Sequence, residues 1–416
     1  MNKITKYALS GLYDMSSGIS STKEQAGHGA PFVSFGTVFN NYFLPEELPD
    51  LMETSEKEQE IYSVKAGDVL ITRTSETINE LAMSCVAVKD HPGATYSGFA
   101  KRLRPKMEGV AYPKYMAFYF RSELFRKAVT NNAFMTLRAS FNEDIFTFLD
   151  VYLPDYDEQV KIGDMLYSIE CKIQKNREIN DYLEEMAKTI YDYWFVQFDF
   201  PDENGKPYKS SGGKMNFVED FGLAPSDWKS GNLYDIAEFI NGLACQRYRP
   251  VETEESLPVI KIREMHEGVS SDTERVSAAI PANNIVNTGD ILFSWSATLE
   301  VQRWAGLKGG LNQHIFKVIP KGKYTQSYVY HQLKAYIVKF IQMAEARKTT
   351  MGHITSDHLK QSVIVLPPDD IVHKFSNQVD SIHAEVSRIS KENQNLCQLR
   401  DWLLPMLMNG QATIEN

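Results

Sequence analysis

The sequence predicts an α+β protein with a pseudo-twofold internal repeat, in which two mixed α/β domains are joined by two long helices that pair antiparallel. Three observations carry that prediction. Short phrases return in the same order: Leu12-Tyr13-Asp14 as Leu233-Tyr234-Asp235, Gly67-Asp68-Val69-Leu70 as Gly289-Asp290-Ile291-Leu292, and Leu153-Pro154 as Leu366-Pro367, at offsets of 213 to 222. Each Leu-Pro precedes a run of about 40 residues with helical patterning. Apolar positions in the two runs share one register, so one half reads as a diverged copy of the other.

Residues 1–153 form the first expected domain. Pro31-Phe32-Val33-Ser34-Phe35, Asp68-Val69-Leu70-Ile71-Thr72 and Cys85-Val86-Ala87-Val88 are short strand-like runs bounded by Gly, Pro, Asn and Asp. Tyr112 to Val129 places apolar residues at helical intervals, with Pro113 suited to a helix start. The spacer helix expected at 154–198 carries Ile162, Leu166, Ile169, Ile173, Asn176, Asn180, Leu183, Ala187, Ile190 and Trp194, alternating steps of four and three. Such spacing is a heptad seam. Residues 199–227, rich in Gly, Ser, Asn and Pro, read as a linker.

The second domain, 228–366, repeats the scheme with Leu257-Pro258-Val259-Ile260-Lys261-Ile262, Asp290-Ile291-Leu292-Phe293 and a helix near Ser327 to Ala346. The second spacer helix, 367–410, has its own seam at Phe375, Val379, Ile382, Val386, Ile389, Asn393, Leu396, Arg400, Leu403 and Leu407. It stops at Asn409-Gly410, a left-handed cap signal, before a tail at 411–416. Two matched seams in one chain zip most simply against each other, with Ile169, Ile173, Asn180 and Leu183 meeting Ile382, Val386, Asn393 and Leu396. Asn180 and Asn393 hold equivalent seam positions, where a polar side chain penalises slipped alignments and sets register.

Composition bounds the function. The 416 residues are 43% apolar and 12% aromatic, which fits two or three folded domains rather than disorder. Cys85, Cys171, Cys245 and Cys397 show no C-x-x-C spacing, so the expectation is a reducing cytoplasm with no disulfide framework and no thiolate zinc site. The start lacks a signal-peptide core, and no run is long enough for a membrane span. The net charge of −10 opposes phosphate binding taken as a whole, but its distribution does not. Lys101 to Arg138 holds nine basic groups against two acidic ones, and Arg303 to Gln361 holds ten against two, at corresponding places in the two halves.

The most distinctive phrase is Trp194-Phe195-Val196-Gln197-Phe198-Asp199-Phe200-Pro201, followed by Asn204-Gly205-Lys206-Pro207-Tyr208-Lys209 and Ser211-Gly212-Gly213-Lys214-Met215. With Leu153-Pro154, Glu158-Gln159, Asn176, Ile179-Asn180 and Leu183-Glu184, it resembles the specificity subunits of type I restriction-modification systems over essentially the whole chain. The second spacer entry departs from the pattern, with Ile371-Val372 where the first has Glu158-Gln159. The resemblance implies a DNA-reading scaffold without catalysis of its own: two target-recognition domains each bind half of a split duplex target, and the paired helices hold them apart. Methyltransferase subunits carrying S-adenosylmethionine would dock on the helices and methylate adenine. A restriction subunit using ATP and Mg²⁺ would cut remotely. No cofactor is expected in this chain itself, and no membrane partner.

DNA contacts are expected from Arg73, Thr74, Ser75, Lys101, Arg102, Arg104 and Arg138 in the first domain. In the second they are expected from Gln246, Arg247, Arg249, Lys261, Arg263, Trp295, Arg303, Arg347 and Lys348. Arg forks match guanine O6 and N7 or neutralise phosphate, and small hydroxyls at a strand end suit backbone and base-edge contacts. The string Pro154-Asp155, Glu170-Cys171-Lys172 has the form of a nuclease signature, but its Glu and Lys fall on a helix where neighbouring strands are required. No P-loop and no Gly-x-Gly-x-x-Gly cofactor loop is present. The competing readings are a degenerate nuclease or methyltransferase and a helical adaptor that binds proteins but no DNA.

Overall fold

The computed structural model describes residues 4–77, 80–132, 139–270, 272–296, 298–346, 354 and 356–414. It is a mixed α/β structure whose chain divides into two compact units, Met1–Gln174 with Leu396–Asn416, and Lys175–Asn395.

In the first unit a four-stranded antiparallel sheet has the order Tyr13–Ser17, Ala100–Pro105, Val69–Thr72, Ser84–Val86. Ala26–Val33 pairs antiparallel with Asp50–Met52 and parallel with Thr95–Tyr96. Thr5–Ala8 pairs with Asp150–Leu153 and so ties the start of the unit to its end. Strand Val69–Thr72 is buried on both faces, which explains its unbroken apolar run.

The second unit uses the same order. Its four-stranded sheet runs Ala237–Asn241, Ile315–Pro320, Ile291–Ser294, Glu300–Arg303, all antiparallel. Ser256–Ile260 pairs antiparallel with Arg275–Ser277 and parallel with Gly309–Leu311. Lys229–Asn232 pairs with Val363–Leu366.

The first domain, where one or two helices are expected, has two in this stretch. The apolar periodicity of Tyr112 to Val129 spans Pro113–Tyr119 and Glu123–Asn132, interrupted between them. There the Ser122 hydroxyl donates to the Tyr119 carbonyl at 2.6 Å, and the Arg121 guanidinium donates to the carbonyl oxygens of Val38, Phe39, Asn41 and Ser84. Satisfying four part-buried carbonyls offsets the lost turn of helix. The segment expected as a linker, 199–227, is folded. Asp199 accepts from the Ser210 amide and hydroxyl, Phe200 stacks on Tyr208 and Trp228, and Met215–Val218 forms a hairpin with Gly222–Pro225.

The long helices span Tyr156–Tyr191, continued by a π-helical turn at Asp192–Val196, and Asp369–Met408. At the usual rise they measure about 54 and 60 Å. Every residue of both heptad seams is buried or half-buried. In the second unit the Asn176 amide donates to Asn393 Oδ1 at 2.9 Å and the Asn180 amide donates to Ser390 Oγ at 3.0 Å. Partner numbers fall as helix numbers rise, so the two helices run antiparallel there. In the first unit Glu170 and Arg400 form a 2.8 Å ion pair, with the guanidinium also over the Tyr42 ring. Glu170 of the nuclease-like string is therefore committed to a helix contact. No helix among the described residues is long and apolar enough to cross a membrane.

Candidate nucleic-acid interface

The repeated Gly-Asp phrase builds the same device in both units. Gly67 and Gly289 take φ of +89° and +94°, a left-handed conformation that glycine adopts without strain. The following aspartate folds back on the turn: Asp68 Oδ2 accepts from the Lys65 amide at 2.8 Å, and Asp290 Oδ2 accepts from the Asn287 amide at 2.7 Å. Each then fixes a cation from the adjacent strand. Asp68 takes both ends of the Arg104 guanidinium at 2.8 and 2.6 Å, and Asp290 takes the Lys317 ammonium at 2.8 Å.

At the far end of these strands two loops cross. Ile19 bridges in parallel to Ser97, and Leu243 bridges in parallel to Asn312. The approach is so close that a Cβ on Gly18 would lie 2.2 Å from the Ser97 carbonyl oxygen, and one on Gly242 would lie 2.0 Å from that of Asn312. The crossing loops share their hydrogen bonds. Ser97 Oγ accepts from the Phe99 amide at 3.2 Å and its carbonyl from the Ala100 amide. Asn312 Oδ1 accepts from the His314 amide at 3.2 Å and its carbonyl from the Ile315 amide. The Phe99 carbonyl then accepts from Arg73 N, whose own carbonyl accepts from Phe141 N. In the second unit the order is His314, Trp295, Ile354.

These loops gather part of the expected site. Arg73 is exposed and close enough to act on Lys101, whose ammonium is pushed down first by burial and then by the Arg73 charge. Lys101 also donates to Ser17 Oγ at 2.8 Å. Thr74 and Ser75 form a two-residue strand against Ala139–Ser140; Thr74 is half-exposed, whereas Ser75 is buried and accepts from the Thr77 amide. Gln246, Arg247 and Arg249 are exposed just after Leu243, on or beside the 3₁₀ turn Cys245–Tyr248. Trp295 packs its ring 5.8 Å from that of His314.

Other expected residues are held by the fold. Arg102 is 8% exposed and donates to the Ser63 carbonyl, and Arg104 is tied to Asp68 and the same carbonyl. Lys261 pairs with Glu274 at 2.6 Å, and Arg263 pairs with Glu264 and Asp272, each at 2.9 Å. Arg303 lines a cavity of about 360 Å³ with Glu184, Tyr330, Lys334 and His383. Burial lowers the Arg303 guanidinium pKa, while Tyr330, Asp380 and Glu184 oppose that shift. Charge patterning alone cannot separate these cations from the exposed ones, since the distinction lies in partners distant along the chain. Arg138, Arg347 and Lys348 lie outside the described residues.

Residues 225–395 match the model of the type I restriction modification DNA specificity domain. The chain is 23% identical to the HindI specificity subunit of Haemophilus influenzae, across 91% of this chain and 94% of that one. It is 21% identical to the MjaIX specificity subunit of Methanocaldococcus jannaschii, across 88% and 82%. Its fold is similar to the crystal structure of the type I restriction-modification S subunit from M. genitalium, with a TM-score of 0.54 and 13% identity over 98% and 96% of the chains. By the domain match and these full-length relatives, the chain is similar to the specificity subunits of type I restriction enzymes.

Proposed function

We propose that this chain selects the DNA sequence for a type I restriction-modification complex, reading a split duplex target and scaffolding the methyltransferase and restriction subunits. S-adenosylmethionine, ATP and Mg²⁺ belong in this reading to those partner subunits. The observation that carries the proposal is the crossing-loop arrangement built twice in a chain similar to type I specificity subunits, each time with exposed cationic groups beside it. One duplex target with two half-sites needs two readers.

On this reading the halves are copies of one unit, a target-recognition domain, and the long helices form an antiparallel coiled-coil spacer. The common strand order and the buried seams support both points. The domain limits of 1–153 and 228–366, with spacers at 154–198 and 367–410, remain the working division. A spacer of about 60 Å corresponds to roughly 18 base pairs of duplex. For DNA contact we assign Arg73, Thr74 and Lys101 in the first domain and Gln246, Arg247, Arg249 and Trp295 in the second.

Methylation-aware sequencing of DNA from a host expressing the full chain with its methyltransferase subunit tests the function. The expected result is one adenine-methylated motif in two parts, lost when 67–75 or 289–297 is replaced. Methylation without a split motif, or none while the purified chain also selects no duplex from a random library, refutes the proposal.

A further inference from the structure

The crossing loops have one backbone and two different tips. In each, a side-chain oxygen two residues upstream accepts the tip amide, the tip carbonyl accepts from the residue that follows the central strand, and a glycine closes the crossing. What differs is the exposed side chain. Phe99 is 62% exposed in the first unit, while His314 is exposed in the second with Gln313 Nε2 3.2 Å from its ring nitrogen.

A single exposed aromatic on a surface needs no explanation. Here the aromatic stands on a loop whose amides are all used: Ser97 N donates to the Val33 carbonyl, Gly98 N to Ile19, Phe99 N to Ser97 Oγ and Ala100 N to Ser97. Such a loop holds its tip still, and cations flank it. Arg73 donates its amide directly to the Phe99 carbonyl, and Lys101 lies two residues on. In the second unit Arg247 and Arg249 follow the strand that crosses the loop. A rigid projection framed by phosphate-seeking groups fits a DNA groove.

We propose that Phe99 and His314, with Gln313 beside it, are the base-reading tips of the two domains, so that a shared frame reads two half-sites through different side chains. This deepens the proposed function and rests on it. Phe99 offers only apolar surface, the chemistry that recognises a thymine methyl group. Gln313 and His314 offer a donor and an acceptor, the chemistry that recognises the exposed edge of a purine.

The test uses the full chain with its methyltransferase subunit, comparing wild type with Phe99→Ala and His314→Ala by methylation-aware sequencing. Selection from a random duplex library by the purified chains provides a second readout. The expected result is that each substitution relaxes base preference by about tenfold at one position of one half-site, leaving the other half and the gap unchanged. Unaltered motifs overturn the inference. So does equal loss of both halves with unchanged thermal melting, which would assign these residues to general affinity. Phe99→Gln and His314→Leu, which keep side-chain bulk but exchange apolar for polar chemistry and polar for apolar, replace any alanine variant that fails to fold and are judged by the same outcomes. A wild-type chain that yields no split motif sinks the proposed function instead, before any variant is compared.

Discussion

At the residue scale, the strictest demands fall on two glycines and one aspartate. A methyl group on Gly242 would sit 2.0 Å from a backbone oxygen that has no freedom to rotate away, so the loops must separate. Gly242→Ala is expected to cost about 1–3 kcal/mol, the usual range for an inserted methyl in a packed site. Thermal denaturation checks it; wild-type melting would mean that the crossing is loose. Asp68 is fully buried and holds both Arg104 and the Lys65 amide. Asp68→Ala leaves a half-buried guanidinium without its carboxylate and is expected to lose on the order of 3 kcal/mol in urea unfolding. The Gly-Asp phrase was legible as a repeat from the sequence, yet its role as a cation clamp was not. Arg104 looked like a DNA contact because its acid lies 36 positions away along the chain. Phe99 and His314 are absent from the expected contacts because neither carries the charge that marks a phosphate contact, and Gln313-His314 has no metal-like partner spacing. The signal that finds them is Ser17-Gly18-Ile19 matched to Asn241-Gly242-Leu243, which marks the crossing strand in both halves.

At the element scale, the long helices were the most legible part, because a seam of period three and four needs no distant information. Their polar contacts were only half legible. Asn180 and Asn393 do occupy equivalent seam positions, but each bonds a different partner, Ser390 and Asn176 respectively. Replacing both with Leu removes the groups that penalise slippage, and disulfide cross-linking along the seam should then trap shifted registers. A single register in the variant would show that apolar packing alone fixes the alignment.

The helix Gln326–Ala346 packs on the second long helix through a buried histidine pair, His331 Nε2 3.0 Å from His383 Nε2, with Ser327 and Asp380 on the other side of His383. Burial pushes His331 down to about 2 and His383 to about 4; Lys334 and Arg303 add to both shifts, and Glu184 and Asp380 oppose that of His383. Both rings are therefore neutral in the fold. Unfolded histidines take up protons below about 6.5, so this contribution is intact above that pH and is lost as pH falls from about 6.5 toward 4. Urea midpoints measured from pH 7.5 to 4.5 should decline, and the His331→Phe, His383→Leu double variant should flatten that decline. An equally steep decline in the variant would place the acid sensitivity elsewhere.

At the scale of the whole molecule, the function proposed is one of distance as well as sequence. Adding four residues to each spacer helix, about one turn or 6 Å, should lengthen the preferred gap by roughly two base pairs and leave both half-sites unchanged. Altered bases at an unchanged gap would remove the spacer from the mechanism. Salt dependence divides the cations further: Arg73→Ala and Arg247→Ala should each lower the slope of affinity against salt by about one if they meet phosphate. The mixed α/β class and the long helices were readable from the sequence because strand-like runs and helical periods are local. The separation of free cations from structural ones was not, since it depends on contacts such as Lys317 with Asp290 that only the folded sheet creates.

The shared frame beneath Phe99 and His314 has an evolutionary corollary. Because glycine, turn and main-chain bonds support the projecting residue without depending on its identity, a point mutation there would, on the proposed reading, change the address the complex recognises without reopening the folding problem. Cells carrying such a protein would be able to diverge in which foreign genomes they reject through alterations at a few codons, one half of the recognition word at a time.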